Sequence, residues 1–151
     1  MTEKNRLKLR AVETEDVEIL SALLQDGLVA SSDLHYQKYE ASFVMIINRF
    51  CWELNDESES EKQPHRCLCC LKAANVKQVS QRGLSAGANQ FYNLLSITYE
   101  EAKKNTKALN RLTFTFSDGY GIRLAVDELA LIVQDIAVPY PGIARPQHEK
   151  S

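Results

Sequence analysis

The chain has 151 residues, 44% of them hydrophobic and 25% charged, fractions that exclude a disordered, collagen-like or fibrous protein. Eighteen Lys+Arg against 20 Asp+Glu leave a net charge of −2. No overall field therefore draws nucleic acid or an anionic membrane, and neither is expected as a partner. A chain of this length buries roughly 69% of its unfolded surface, enough for one core. A single domain over 1–151 is expected, with its ordered core over 7–138.

Leu7-Lys-Leu-Arg-Ala-Val12 alternates apolar and basic residues, the period of a half-buried strand. Thr14 suits a helix N-cap, and Glu15 and Asp16 follow where the helix dipole favours carboxylates. Val17, Leu20, Leu24 and Leu28 recur at steps of three and four, predicting a helix over 15–26 with Gly27 as its stop. Leu34–Tyr39 and Ser42–Trp52 are rich in β-branched and aromatic residues and read as a hairpin. The second strand is apolar at both parities over Val44–Ile47, which predicts a central strand covered on both faces.

Between 53 and 65 the chain carries Glu53, Asp56, Glu57, Glu59 and Glu61 and almost nothing apolar, so a mobile acidic loop is expected there. Arg66–Leu71 and Val76–Val79 predict one long bent strand or two short ones. Phe91–Tyr99 is a strand by composition. Arg111–Phe116 alternates strictly, Asp118-Gly119 signals a tight hairpin turn, and Ile122–Val126 returns. Val126, Leu129, Ile132, Val133 and Ile136 sit at three- and four-residue steps, predicting a second helix over 128–136; strand continuation through Leu131–Val133 is the rival. Pro139, Pro141 and Pro146 exclude regular structure from the tail over 139–151. The fold class that follows is α+β: a mostly antiparallel sheet of about six or seven strands with an N-terminal amphipathic helix and a C-terminal helix.

The first ten residues hold no apolar stretch of the kind that opens a secretory signal, and Phe43–Ile47 is far too short to span a bilayer. A cytoplasmic location follows, with Cys51, Cys67, Cys69 and Cys70 reduced. His65-Arg-Cys67-Leu-Cys69-Cys70 is the densest cluster of ligating atoms, but no second cysteine pair completes a metal site, and strand parity separates Cys70 from the other two. No metal and no cofactor are assigned. His35, His65 and His148 stand apart from any nucleophile motif, and no catalytic residue is assigned either.

The most distinctive segment is Asn48-Arg-Phe-Cys-Trp-Glu53. Parity sets Arg49 on one face and Asn48, Phe50 and Trp52 on the other. Such a patch suits a protein or planar ligand, and Arg49, Trp52 and Tyr140 are the candidate surface residues. The plainer alternative has Trp52 covering the end of the core and Arg49 paired with Asp26 or Asp135.

With Ser21-Ala-Leu-Leu-Gln-Asp26, Ile122-Arg-Leu124 and Gln134-Asp135, this segment resembles a small family of alphaproteobacterial proteins, domain-of-unknown-function family 2948, over residues 7–140. The family pattern is matched at Ser21, Ala22, Gln25, Asp26, Asn48, Arg49, Phe50, Trp52 and Glu53, and departs at Cys51, where arginine is expected. The resemblance implies a bacterial cytoplasmic protein of one domain and brings no activity, ligand or partner. The preferred reading is a non-enzymatic protein- or ligand-interaction module; the alternative is a metal- or thiol-dependent enzyme using Cys67, Cys69 and Cys70. An exposed edge at Leu34–Tyr39 or Phe91–Tyr99 would allow pairing with a second copy.

Overall fold

Phe43, Met45 and Ile47 are buried while Val44 and Ile46 between them are half-buried. This two-residue period dominates the computed structural model, which describes residues 7–50, 65–83, 90–136 and 140–141, with the backbone alone at His65, Tyr140 and Pro141. Eleven strands form one sheet. In chain order they are β1 (Lys8–Ala11), β2 (Leu28–Ala30), β3 (Leu34–Gln37), β4 (Ser42–Phe50), β5 (His65–Ala73), β6 (Val76–Arg82), β7 (Phe91–Glu100), β8 (Asn110–Phe116), β9 (Gly121–Val126), β10 (Leu131–Asp135) and β11 (Tyr140–Pro141). One α-helix among the described residues, α1 (Thr14–Leu24), stands between β1 and β2.

The strands run in the order β1-β10-β5-β4-β2-β7-β8-β9-β6, with β3 added to β4 and β11 to β5, and every pairing is antiparallel. Two halves result. In the first, β4 and β5 pair over eight residues, from Phe43↔Ala73 to Phe50↔Arg66. In the second, β7, β8, β9 and β6 form a continuous ladder. The three-residue β2 joins them, pairing with β4 at Leu28↔Asn48 and with β7 from Leu28↔Asn93 to Ala30↔Phe91. The chain also passes directly between the halves at Ala74–Asn75 and at Asp127–Ala130. These corners are tied by the Ala74 N–H to the Ala130 carbonyl at 2.9 Å and the Asp127 N–H to the Asn75 carbonyl at 3.2 Å. Of the two expectations for 66–79, one bent strand or two, the structure has two, β5 and β6, parted by this corner.

The inward side chains of both halves merge in one core that includes Leu20, Met45, Ile47, Leu71, Phe114, Leu124 and Val133. In the second half Tyr92 stacks on Tyr120 with ring centroids 4.4 Å apart, and Phe116 tilts against Tyr120 at 5.4 Å. Asp118 and Gly119 turn β8 into β9, with φ of 60° and 76°, the left-handed pair that the sequence signals there.

Three expectations are corrected. The α+β class with a C-terminal helix gives way to an antiparallel β fold with one short helix. Residues 131–135 are a strand because Leu131, Val133 and Asp135 point inward while Ile132 and Gln134 point outward. An inward acid, Asp135, hides that alternation from a hydrophobicity pattern. The strand count exceeds six or seven because β10 replaces the expected helix, β5 and β6 are separate strands, and β2 and β11, of three and two residues, are too short to show a period. Pro141 is accommodated because β11 lies at a margin of the sheet, where a missing N–H is tolerated. Finally, β4 is central, yet Val44 and Ile46 on its outer face are half-buried rather than covered.

The helix is displaced slightly from its expected span and caps differently. The Asp16 carboxylate accepts the N–H groups of Val12 and Glu13 at 3.0 and 3.1 Å, so the N-cap is Glu13 rather than Thr14. At the other end Asp26, with φ of 70°, takes the left-handed turn. Gly27 serves close approach instead: a Cβ there would lie 2.6 Å from Cγ2 of Ile47.

The acidic loop expected over 53–65 falls outside the described residues except for the His65 backbone, as does the tail beyond Pro141. Of the two strands expected at an edge, β7 is flanked by β8 on one side and by β2 and α1 on the other. In contrast, β3 pairs with β4 alone. No helix among the described residues is long and apolar enough to cross a membrane.

Candidate interaction site

The polar residues that carry the family resemblance fall into two groups. The first docks α1 on β7. Ser21 Oγ accepts the Ile97 N–H at 2.9 Å; the Asp26 N–H donates to the Leu94 carbonyl, and the Leu94 N–H to the Gly27 carbonyl, both at 2.8 Å. These bonds satisfy backbone groups of β7 that no neighbouring strand reaches.

The second group lies where β4, β5, β10 and β11 end together. On the inner face Arg49 is fully buried and Asp135 is 2% exposed. Arg49 Nε donates to Asp135 Oδ1 at 3.1 Å and Nη2 to Oδ2 at 3.0 Å, a two-pronged ion pair of the geometry that suits guanidinium and carboxylate. Arg49 Nη1 donates to the Phe50 carbonyl at 3.0 Å. Asp135 Oδ2 also accepts the Leu7 N–H at 2.8 Å. Arg49 stands opposite Cys67, and Asp135 opposite Cys69, so the pair crosses β5 on a diagonal. One buried salt link thereby ties β4, β10 and the start of β1.

On the outer face at the same end, Arg66 Nε donates to Asn48 Oδ1 at 2.8 Å and Nη2 to the Asn48 carbonyl at 3.0 Å. The Arg66 guanidinium lies 4.0 Å from the centre of the Phe50 ring, a cation–π contact. Phe50, Arg66 and Tyr140 occupy one row of the sheet by their backbone pairing. Next to this row a small hollow of about 60 Å³ is lined by Leu28, Ile46, Asn48, Leu68 and Phe91 among others. Phe91 is 59% exposed.

The three candidate residues therefore have different standings. Arg49 is buried and bonded to Asp135, one of the two acids named for it by sequence. Tyr140 has its backbone opposite Arg66. Trp52 lies outside the described residues. Sequence reasoning missed Arg66 and Phe91. The register Phe50↔Arg66 spans a long acidic connection, so nothing local in the sequence signals that they meet.

The described cysteines of β5 do not converge on one point. Cys67 is disulfide-bonded, against the expectation that all four thiols are reduced. Cys69 points into the core and Cys70 to the opposite face. Burial pushes the Cys70 thiol above its ordinary value, against a smaller opposing pull from Lys72. That is the reverse of what an activated thiolate requires.

These features define a class: an antiparallel β protein whose sheet is bridged by one short strand, shielded on one side by a helix, and locked at one end by a buried arginine–aspartate pair. Residues 7–148 match the family DUF2948, described as protein of unknown function. The chain belongs to this family. No curated protein and no solved structure matches it.

Proposed function

We propose that the protein is a non-enzymatic interaction module that binds a protein partner at the end of the sheet where β4, β5 and β11 meet, with Trp52 and Tyr140 as contact residues. The observation that carries this reading is the outer face of β2, β4 and β5. Leu28, Ile46 and Leu68 are only half-buried there, with Phe91 exposed beside them, and contiguous open apolar surface marks binding faces. Its rim is held rigid, because Arg66 is fixed between Asn48 and Phe50, and fixed side chains lose little freedom on binding. Arg49 acts from beneath by holding the strand ends that present this surface.

Trp52 is the sole tryptophan of the chain, so its fluorescence reports this surface. Affinity capture from a bacterial lysate with the wild type and with Trp52→Ala and Tyr140→Ala tests the proposal. The expected result is a partner lost from both variants at unchanged melting temperature, and one that shifts Trp52 emission when added back pure. An identical set of captured proteins in all three would remove the reading.

A further inference from the structure

The outer face of the second half has a different chemistry. Gln78, Ser80 and Arg82 of β6, Arg123 of β9, and Arg111, Thr113 and Thr115 of β8 all point outward, as their pairing and exposure show, and Gly121 lies in the row of Arg82. Two adjoining hollows lie on this face. One, of about 210 Å³, is bounded by Arg82, Arg123, Ser80, Thr113 and Gly121. The second, of about 400 Å³, shares Ser80 and Arg123 with it and adds Lys107, Leu109, Arg111 and Ala125. Neither hollow is lined by an acidic residue.

The register arranges three arginines in a diagonal. Ser80 pairs with Arg123 and Arg82 with Gly121; Arg123 pairs with Thr113 and Ala125 with Arg111. Each arginine is therefore one strand and two residues from the next, a separation of about 7–8 Å between backbones. Arg111 has a carboxylate neighbour, Glu100, at 3.5 Å. Arg82 and Arg123 have no ion-pair partner among the described residues. The absence of a side chain at Gly121 lets the Arg82 guanidinium lie over the sheet: Nη2 comes within 3.4 Å of where a Cβ would stand.

We propose that this groove is a binding site for a phosphate monoester. The phosphate lies between Arg82 and Arg123, with the Ser80 and Thr113 hydroxyls as further donors, and the organic part extends over Leu109 and Ala125 towards Lys107 and Arg111. A single carboxylate would be neutralised by one guanidinium. Two unpaired guanidinia bounding one hollow instead match the charge of about −1.5 to −2 that a phosphate monoester carries at neutral pH, and the guanidinium fork fits phosphate oxygens in pairs. Neither hollow is lined by an aromatic side chain on which nucleic acid bases could stack. An extended acidic peptide added to the margin of β6 would run along that strand rather than across to Arg111.

The test titrates the ¹⁵N-labelled full chain with phenyl phosphate, with benzoate as a singly charged analogue of similar size, and with a hexaglutamate peptide. The expected result is saturable shifts at Ser80, Thr113, Gly121 and Arg123 with phenyl phosphate, and binding at least about tenfold weaker for benzoate. Arg82→Gln and Arg123→Gln should each weaken phenyl phosphate about tenfold with unchanged melting. Lys72→Gln, on the outer face of the other half, should leave binding unaltered. Equal binding of benzoate, tighter binding of hexaglutamate, unsaturable shifts, or undiminished binding by both arginine variants would each overturn the proposal.

Discussion

The two halves of the sheet solve the same packing problem with opposite chemistry. In the first, the inner face ends in a buried ion pair, Arg49–Asp135, and the outer face is apolar along Val44, Ile46, Leu68 and Ile132. In the second, the inner face is aromatic, built on Tyr92, Phe114, Phe116 and Tyr120, and the outer face carries arginines and hydroxyls. Aromatic packing stabilises by area and tolerates small shifts. A buried ion pair fixes one arrangement, because a lone charge left in the core is costly. The half with the rigid polar lock is also the half with open apolar surface, and the lock keeps its strand ends in register.

Five substitutions or conditions sharpen this contrast. The largest effect is expected from Asp135→Ala, which removes the two-pronged carboxylate partner of the buried Arg49 and orphans the Leu7 N–H; it should cost about 3–5 kcal/mol, seen as a fall of roughly 6–20 °C in thermal melting. Replacing both partners, Arg49→Met with Asp135→Leu, should cost less than Asp135→Ala alone, since no uncompensated charge remains. If the double variant were the worse of the two, the lock would be ordinary packing.

Next comes the junction between the halves. Gly27→Ala pushes a methyl into Ile47, and overpacking of this kind costs about 1–3 kcal/mol in denaturant unfolding. Ser21→Ala removes the acceptor of the Ile97 N–H and should cost about 1 kcal/mol, with faster amide exchange confined to β7. The smallest effect belongs to the second half and appears only at alkaline pH. Burial, and then the neighbouring Tyr92, raise the Tyr120 phenol above its ordinary value of 10.0, and its hydroxyl donates to Gln81 Oε1 at 2.9 Å. A raised value means that the folded state holds the proton more tightly. Its stabilising contribution is therefore complete below pH 10 and is lost as the pH climbs through the folded value. Melting measured between pH 8 and 11 should fall along that limb, and Tyr120→Phe should flatten it.

Much of this architecture was legible because apolar residues alternate without interruption. Leu112, Phe114 and Phe116 mark β8, and Ile122, Leu124 and Val126 mark β9, on sight. The errors arose where function-like residues break the code. Asp135 occupies a core position, so Ile132 and Ile136, which are 36% and 47% exposed, took its place in a spurious helical stripe. Arg49 likewise sits among core residues while looking like a surface charge. Its partner could be named from sequence because acids are few near the matched motifs, but not chosen, since the crossing of β5 depends on long-range register. The arginine diagonal was illegible for the same reason: Arg82, Arg111 and Arg123 come from three separated strands, and only pairing aligns them.

The bridge between the halves has a mechanical corollary. Because β2 meets β4 at a single residue pair and β7 at three, it is the narrowest place in the ladder, a hinge line with thick plates on either side. Thermal fluctuation that parts the molecule would begin there, leaving the β4–β5 ribbon and the β7–β8–β9 meander each internally zipped. Shortening or stiffening the Asp26–Leu28 crease would then govern how often the two plates breathe apart, while leaving the architecture of either plate unchanged.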